Sequence, residues 1–582
     1  MNLLGRNIVF MSAPLALAAV IACSTSGGDA GSGENDITAT SCQILNVKAG
    51  RPMTTEELAK LDDPIAAFAL AGADCPTGFA EITEKLKKTD TAGCNGTSPS
   101  SGSGSGGEGG TPGSSGEGGA SGSGEGGASG SSDGGGPGSS GSGASSSAGI
   151  STRFVSETSQ VEGKGNSFRA VVARQCNGRK DHELLISLFG IRADGKLPND
   201  FEAIGKDKTS GVFNYYAREN NTWKFFGNSL DLIGDGYDCN ANGACTPKAA
   251  AQTRCAGCHV GGGLIMKELN SPWVHWEGDT RTPGLETLFS ASPSLLGTRG
   301  SGVDMESKVS GGNRAYIPKR IEFLKTKGVA EVLRPLFCTM DINLQSAGAS
   351  SSPPTSIRNE VLLDPAWQSS DSPPVNAADY TALVAQFKQR VEGSGGTQLK
   401  DQASKPVDDT FFKFTFPERS AIDVAYVQQL VALKIVDDDF VKDVLDIDFT
   451  RPIFSPTRCG LLQFAPTLAA DQMTPDAIRD GFKAALAADT SAAGKKLAAN
   501  LAAAGDAAAH RAEVDTYLTA CKARDKKAFL TDVFAFVAHQ RRAARANVAN
   551  SGQGIIEFSA SMVTDDIPDT TKALDPVDCT LK

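Results

Sequence analysis

Basic surplus, histidine and long apolar runs are what this sequence has least of. Lys and Arg number 56 against 67 Asp and Glu, for a net charge of −11. No basic field is available to hold a nucleic-acid backbone. Histidine occurs five times in 582 residues, and none sits in H-E-x-x-H. No G-x-S-x-G elbow with a matching triad is found either, so the common zinc-protease and serine-hydrolase constellations are excluded. The apolar stretch Ile8–Ile21 is too short and too interrupted for a spanning helix.

The chain does have Cys255-Ala256-Gly257-Cys258-His259, a C-x-x-C-H signature. Two thiols three positions apart can add to the two vinyl groups of one porphyrin, and the next residue's imidazole can then reach the iron. The motif points to one covalent haem c, held by Cys255 and Cys258, with His259 as proximal ligand. A structural zinc site would want a second C-x-x-C or an H-x3-5-H pair, which is missing. A redox-active dithiol would sit at a strand-to-helix junction, whereas here Ala-rich sequence precedes the motif and Gly261–Gly263 come after it. A plain Cys255–Cys258 disulfide is the remaining reading.

Residues 1–22 read as an export signal, with Arg6 in the charged region and Ile8–Ile21 as the apolar core. Val20-Ile21-Ala22-Cys23 resembles the lipobox of bacterial lipoproteins. The resemblance implies a lipid on Cys23, and Ser24 after it implies the outer membrane. Otherwise Cys23 comes after an ordinary cleaved signal and joins a disulfide. Haem c is attached on the exported side, so motif and signal agree. Of 13 cysteines, ten remain after Cys23 and the haem pair, an even number suited to disulfides in an oxidising compartment. A local Cys239–Cys245 bridge is expected. Cys42, Cys75 and Cys94 are three in one short region, so one reaches the main body or stays unpaired.

The fold class expected is α+β multidomain. Residues 23–35 form a tether and 36–94 a small helical module, with a Thr54-x-x-Glu57 capping box. Residues 95–149 are a Gly/Ser linker containing the exact repeat GEGGASGS at 116–123 and 124–131. Such a coil of about 50 residues spans roughly 40 Å. Residues 150–312 read as a β-rich haem domain with strands at Phe168–Val172, Leu184–Ile191 and a hairpin over Val212–Phe226 turning at Glu219-Asn220-Asn221. Residues 313–582 read as mainly helical, including Thr326–Leu336, Asn376–Val391, Ser420–Leu433, Phe440–Ile447, Thr474–Leu486, Val514–Cys521 and Phe529–Ala543. Ile422, Tyr426, Leu430 and Leu433 form one apolar face at helical spacing. Asp238–Gly243 matches half of a calcium loop but has Ala249 where the last ligand belongs, so it reads as a polar turn.

Gly261–Gly263 let the backbone lie close to a flat ring, and Trp273 and Trp276 are candidates for the haem wall. The sixth iron ligand decides between electron carrier and reactive site. The candidates are His275, Met266 and Met305, the last in a loop-like context; an open or water-ligated iron is the other option. Met340, Met473 and Met562 are core residues.

The motif is that of the c-type cytochromes. Residues 150–260, with the aromatic strand Thr222–Phe226 ending in C-x-x-C-H, also resemble the hydroxylamine-oxidising cytochromes with a lysine-crosslinked haem. That resemblance implies a five-coordinate iron, with Lys206, Lys208 or Lys224 as the crosslink. Here more than 300 residues come after the motif, a departure from that family. The expectation is an exported mono-haem c-type cytochrome, held to the membrane through Cys23 and passing electrons to a redox partner at the cell envelope. The alternatives are a haem enzyme acting on a small nitrogen or peroxide species, and a partner-binding structural lipoprotein.

Overall fold

The computed structural model describes residues 42–71, 75–88, 149–157, 167–176, 179–189, 199–241, 243–264, 276–277, 298–299, 302–345, 362–363, 378, 416–503, 507–533, 536 and 572–582. The export signal, Cys23, the Gly/Ser linker, Cys94, Met266, Trp273, His275, the helix expected at Asn376–Val391 (apart from residue 378) and Met562 lie outside them.

The fold is α+β, and its centre is one ten-stranded sheet. The elements up to the haem motif are β1 (Ile44–Asn46), β2 (Arg51–Pro52), α1 (Thr55–Leu58), α2 (Pro64–Leu70), α3 (Phe79–Lys88), β3 (Gly149–Glu157), β4 (Ser167–Cys176), β5 (Arg179–Phe189), β6 (Phe201–Lys206), β7 (Phe213–Glu219) and β8 (Thr222–Asn228). Strands β3 to β8 form an antiparallel meander. The expected hairpin is β7–β8. Its turn is two residues long, with Asn220 and Asn221 at φ of 48° and 65°, the left-handed pair that a primed turn requires. β5 starts earlier than the apolar pattern suggested, because Arg179–Glu183 are polar while their backbone still pairs with β4.

The segment expected as a small helical module holds its helices and also joins the sheet. β1 runs parallel to β8, with Ile44 opposite Trp223. The Thr54 capping box is formed. Ile65, Phe68, Phe79 and Ile82 cover the sheet face that carries Leu184, Ile186, Phe201, Tyr216, Trp223 and Phe225. Each such apolar side chain withdrawn from water stabilises by about 1.5–3 kcal/mol. A buried polar joint fixes the alignment. Asp63 caps α2 through Ile65 N and Ala66 N, and accepts from Asn214 Nδ2 at 2.8 Å and the Tyr216 hydroxyl at 2.7 Å.

The opposite face of the sheet packs on the next stretch of chain, made of α4 (Ser229–Ile233), β9 (Tyr237–Cys239), β10 (Cys245–Pro247), a 3-10 turn Lys248–Ala251, and α5 (Arg254–Cys258). Then come the short strands β11 (Trp276–Glu277) and β12 (Thr298–Arg299), both paired with β3. Helices α6 (Gly302–Lys325) and α7 (Val329–Phe337), strands β13 (Ile342–Gln345) and β14 (Phe416–Arg419), and helices α8 (Ala421–Ala432), α9 (Asp438–Leu445), α10 (Pro456–Gly460), α11 (Pro475–Leu486), α12 (Ala492–Ala502) and α13 (Ala507–Ala523) complete the labelled set. Ser420, Asp437 and Thr474 cap α8, α9 and α11, and Pro475 occupies the first turn of α11.

Two expectations from the sequence are corrected by the fold. Helix α6 runs across the boundary drawn at 312, and Met305 lies in its first turn rather than in a loop. Gly311, Gly312 and Pro318 all lie inside this helix. A Cβ on Gly312 would stand 3.0 Å from Leu264 Cδ1 and 3.4 Å from Phe213 Cζ, so the helix needs a side-chain-free position to lie this close. On α8, Tyr426 and Leu430 are fully buried, but Leu433 is 46% exposed. It is the C-cap, beyond the last helical turn, and so leaves the apolar stripe.

Disulfides Cys42–Cys75, Cys239–Cys245, Cys338–Cys459 and Cys521–Cys579 join eight of the ten remaining cysteines. The expected Cys239–Cys245 bridge is among them. It closes the polar turn at Asp238–Gly243, where Gly243 takes a φ of 77°.

Candidate functional site

The C-x-x-C-H motif lies where three layers meet. Ala256 and Leu264 pack with Phe213, Tyr215, Leu232, Val309 and Tyr316 beneath the sheet. Val260 belongs instead to the large helical core. Helix α6 contributes to both, through Val309 and Tyr316 to the first and Ile317 and Ile321 to the second.

Helix α5 is one turn and a half, and carries Cys255 and Cys258 three positions apart. His259 caps it, and its backbone N–H donates to Cys255 O at 2.7 Å. Cys255 and His259 are half-buried. The His259 ring lies against Tyr215, with centroids 4.7 Å apart. Its Nδ1 is 2.8 Å from Gly263 O. A carbonyl only accepts, so Nδ1 is the donor here and Nε2 is the other ring nitrogen. That is the nitrogen a metal would take, and the carbonyl fixes the ring's orientation.

The loop after His259 is held carbonyl by carbonyl. Tyr237 donates to Val260 O at 3.0 Å. Tyr316 donates to Gly261 O at 3.2 Å. The Tyr215 hydroxyl lies 2.9 Å from both Gly262 O and Gly263 O. Asn313 brackets Leu264, accepting from its N–H and donating to its carbonyl. The chain has seven tyrosines, and three are spent on this loop. Burial pushes the phenols of Tyr215, Tyr237 and Tyr316 above their ordinary range, so all three stay neutral donors.

Protein groups close on these glycines. Gly262 has a φ of 68°, and a Cβ there would meet Ser229 O and the Tyr316 hydroxyl. A Cβ on Gly261 would stand 2.7 Å from Arg320 Nη1. They let protein groups approach the backbone.

Arg320 is the chemical anomaly of the region. It is 1% exposed, stacks over Tyr426 at 4.6 Å, and its Nε and Nη2 have no hydrogen-bond partner. A buried guanidinium with orphaned donors is costly without an anion. Nearby Asp423 is held by burial at a pKa of about 6, against the pull of Arg320. A porphyrin carries carboxylates, so the donor set fits a haem: two cysteines on one helix, the His259 imidazole after them, and the buried Arg320 cation, whose atoms come within 2.7 Å of a Cβ built on Gly261.

Among the other sequence candidates, Trp276 lies on β11 and Met305 on α6, while Trp273, His275 and Met266 are outside the described residues. Lys206 and Lys224 alternate onto the sheet face of Ile204 and Phe226, the face that carries the motif. Lys224 is paired with Glu219 at 2.8 Å, and Lys208 lies just past the end of β6. Sequence reasoning missed Tyr215, Tyr237, Asn313, Tyr316 and Arg320. Asn313, Tyr316 and Arg320 sit at i, i+3, i+7 spacing, a polar stripe on one helical face that would have flagged three of them.

Comparison with known proteins brings no match: no family model, no curated protein and no solved structure is similar to this chain. Among the described residues no helix is long and apolar enough to cross a membrane.

Proposed function

We propose that the chain is an exported, lipid-anchored mono-haem c-type cytochrome that passes electrons at the cell envelope. The single observation that carries the reading is His259, whose Nδ1 donates to Gly263 O next to Cys255 and Cys258 on α5. Bound there, a haem supplies a reversible one-electron couple at its iron. Cys255 and Cys258 hold it. His259 presents Nε2, Tyr215 and the Gly263 carbonyl orient the imidazole, and Arg320 offers a cation to a carboxylate. The tyrosine-bonded loop limits rearrangement around the site. Lipidation at Cys23 and an outer-membrane location rest on the N-terminal sequence.

A second reading is a haem enzyme with an open iron acting on a small nitrogen species. It draws support from Lys206 and Lys224, which share the motif's face of the sheet as a crosslinking lysine must.

The test is the absorption spectrum of protein purified from its own envelope fraction, oxidised, reduced, and reduced with carbon monoxide. Haem that stays with the chain through acid-acetone extraction, and is lost in the Cys255→Ala, Cys258→Ala double variant, is the expected result. Absence of haem overturns the reading. An unchanged spectrum with carbon monoxide favours the electron carrier. A clear shift, with a haem peptide that also carries Lys206 or Lys224, favours the enzyme.

A further inference from the structure

Away from the haem motif, four cysteines from distant parts of the chain converge. Cys239 and Cys245 flank the β9–β10 turn, Cys338 caps α7, and Cys459 lies in α10. Their Sγ atoms all lie within 4.8 Å of one another. Two adjacent disulfides occupy this space.

We propose that this cluster has two chemical states: two disulfides when oxidised, and a tetrathiolate zinc(II) site when reduced. Zinc with four thiolates is tetrahedral with bonds of about 2.3 Å, which sets neighbouring sulfurs about 3.8 Å apart. The observed cluster is already inside the needed envelope. Each paired sulfur must part from its partner, and no cross pair is more than 4.8 Å apart.

The cage is held by backbone, not by the disulfides alone. Cys245 N donates to Thr339 O and Thr339 N donates to Gly243 O, both at 2.9 Å. A Cβ on Gly243, at a φ of 77°, would lie 3.1 Å from Cys459 Cβ and 3.0 Å from Ser455 O, so only glycine lets the turn sit on α10. These contacts persist when the sulfurs are reduced. Arg334 Nη1 is 3.2 Å from Cys239 Sγ. A cation here favours thiolate over thiol and offsets the negative charge of a zinc tetrathiolate. Cys239 is exposed while Cys245 and Cys338 are buried, which gives reductant and metal one open side.

The chemistry balances with a dithiol as reductant. Each disulfide takes two electrons and two protons from one dithiol, which becomes a disulfide in turn. Zinc then displaces the four thiol protons. The proposal does not depend on haem binding.

The experiment uses the full chain. It is reduced anaerobically with a phosphine, incubated with zinc or left without, desalted and alkylated, and each cysteine peptide is weighed. The expected result is one zinc per chain and loss of alkylation at Cys239, Cys245, Cys338 and Cys459. Cys42, Cys75, Cys521 and Cys579 stay reactive. Cobalt(II) in place of zinc should give a thiolate charge-transfer band of a tetrahedral site. Equal alkylation of all eight cysteines with and without zinc overturns the proposal. So does protection confined to Cys255 and Cys258, which would assign the metal to the C-x-x-C-H motif.

Discussion

Asp63→Ala should break the joint between residues 42–88 and the sheet. The Asp63 carboxylate is 3% exposed and serves four groups. It caps α2 through two backbone N–H groups, and losing such a cap costs about 1 kcal/mol. It accepts from the Tyr216 hydroxyl and from Asn214 Nδ2. The Tyr216 hydroxyl would be stranded in a dry interior, at about 1–3 kcal/mol, while Asn214 Nδ2 keeps its second acceptor, Asp207 Oδ2 at 3.3 Å, and loses one bond worth about 0.5–1.5 kcal/mol. The sum is roughly 2.5–5.5 kcal/mol, against the 5–15 kcal/mol of a typical domain. Asp63→Asn keeps an acceptor for the cap and should cost about half as much. Thermal denaturation should show a fall of roughly 10 °C for Asp63→Ala. Hydrogen exchange should show lost protection over residues 42–88 before the rest opens. Burial also pushes the Asp63 carboxyl above its ordinary range. A raised carboxyl binds its proton in the folded state, so stability is fullest below the ordinary carboxylate pKa and declines as pH rises toward the folded value. Asp63→Asn should flatten that decline. A loss under about 1 kcal/mol for Asp63→Ala, with protection over 42–88 intact, would refute the reasoning.

Three further outcomes are expected around the site. Asp423 is raised by burial from 3.8 to about 6, so about 3 kcal/mol of stability should be lost as pH rises between those values; Asp423→Asn should remove this slope in melts taken across that range. Tyr215→Phe removes the hydroxyl shared by Gly262 O and Gly263 O, which should cost about 1 kcal/mol in chemical denaturation, and it should shift the midpoint potential of the haem protein because His259 shares the Gly263 carbonyl. Gly262→Ala forces a side chain into a left-handed position against Ser229 and Tyr316, and should cost more than about 2 kcal/mol and lower covalent haem yield; wild-type stability and yield would contradict the loop's packing.

Local signals were legible in the sequence wherever the chemistry is local. The β7–β8 turn needed two residues tolerant of positive φ, and Asn220-Asn221 supplied them. The expected helix starts at Ser420 and Thr474 are both caps, because a cap bonds within its own first turn. The C-x-x-C-H spacing brings thiols and imidazole together on one short helix whatever surrounds it.

Only the tertiary structure decided the rest. β1 joins β8 across a sequence gap of about 180 residues, and no periodicity records such pairing. Helix α6 survives Gly311, Gly312 and Pro318 because packing against Leu264 and Phe213 outweighs weak propensity. The tyrosines on the 260–263 loop come from β7, β9 and α6, and the four clustered cysteines come from a hairpin and two helices. Hydrogen bonds and sulfur contacts act over a few ångströms, so their partners are set by where the folded chain puts them. Sequence named the residue types able to do the chemistry, and folding chose which of them meet.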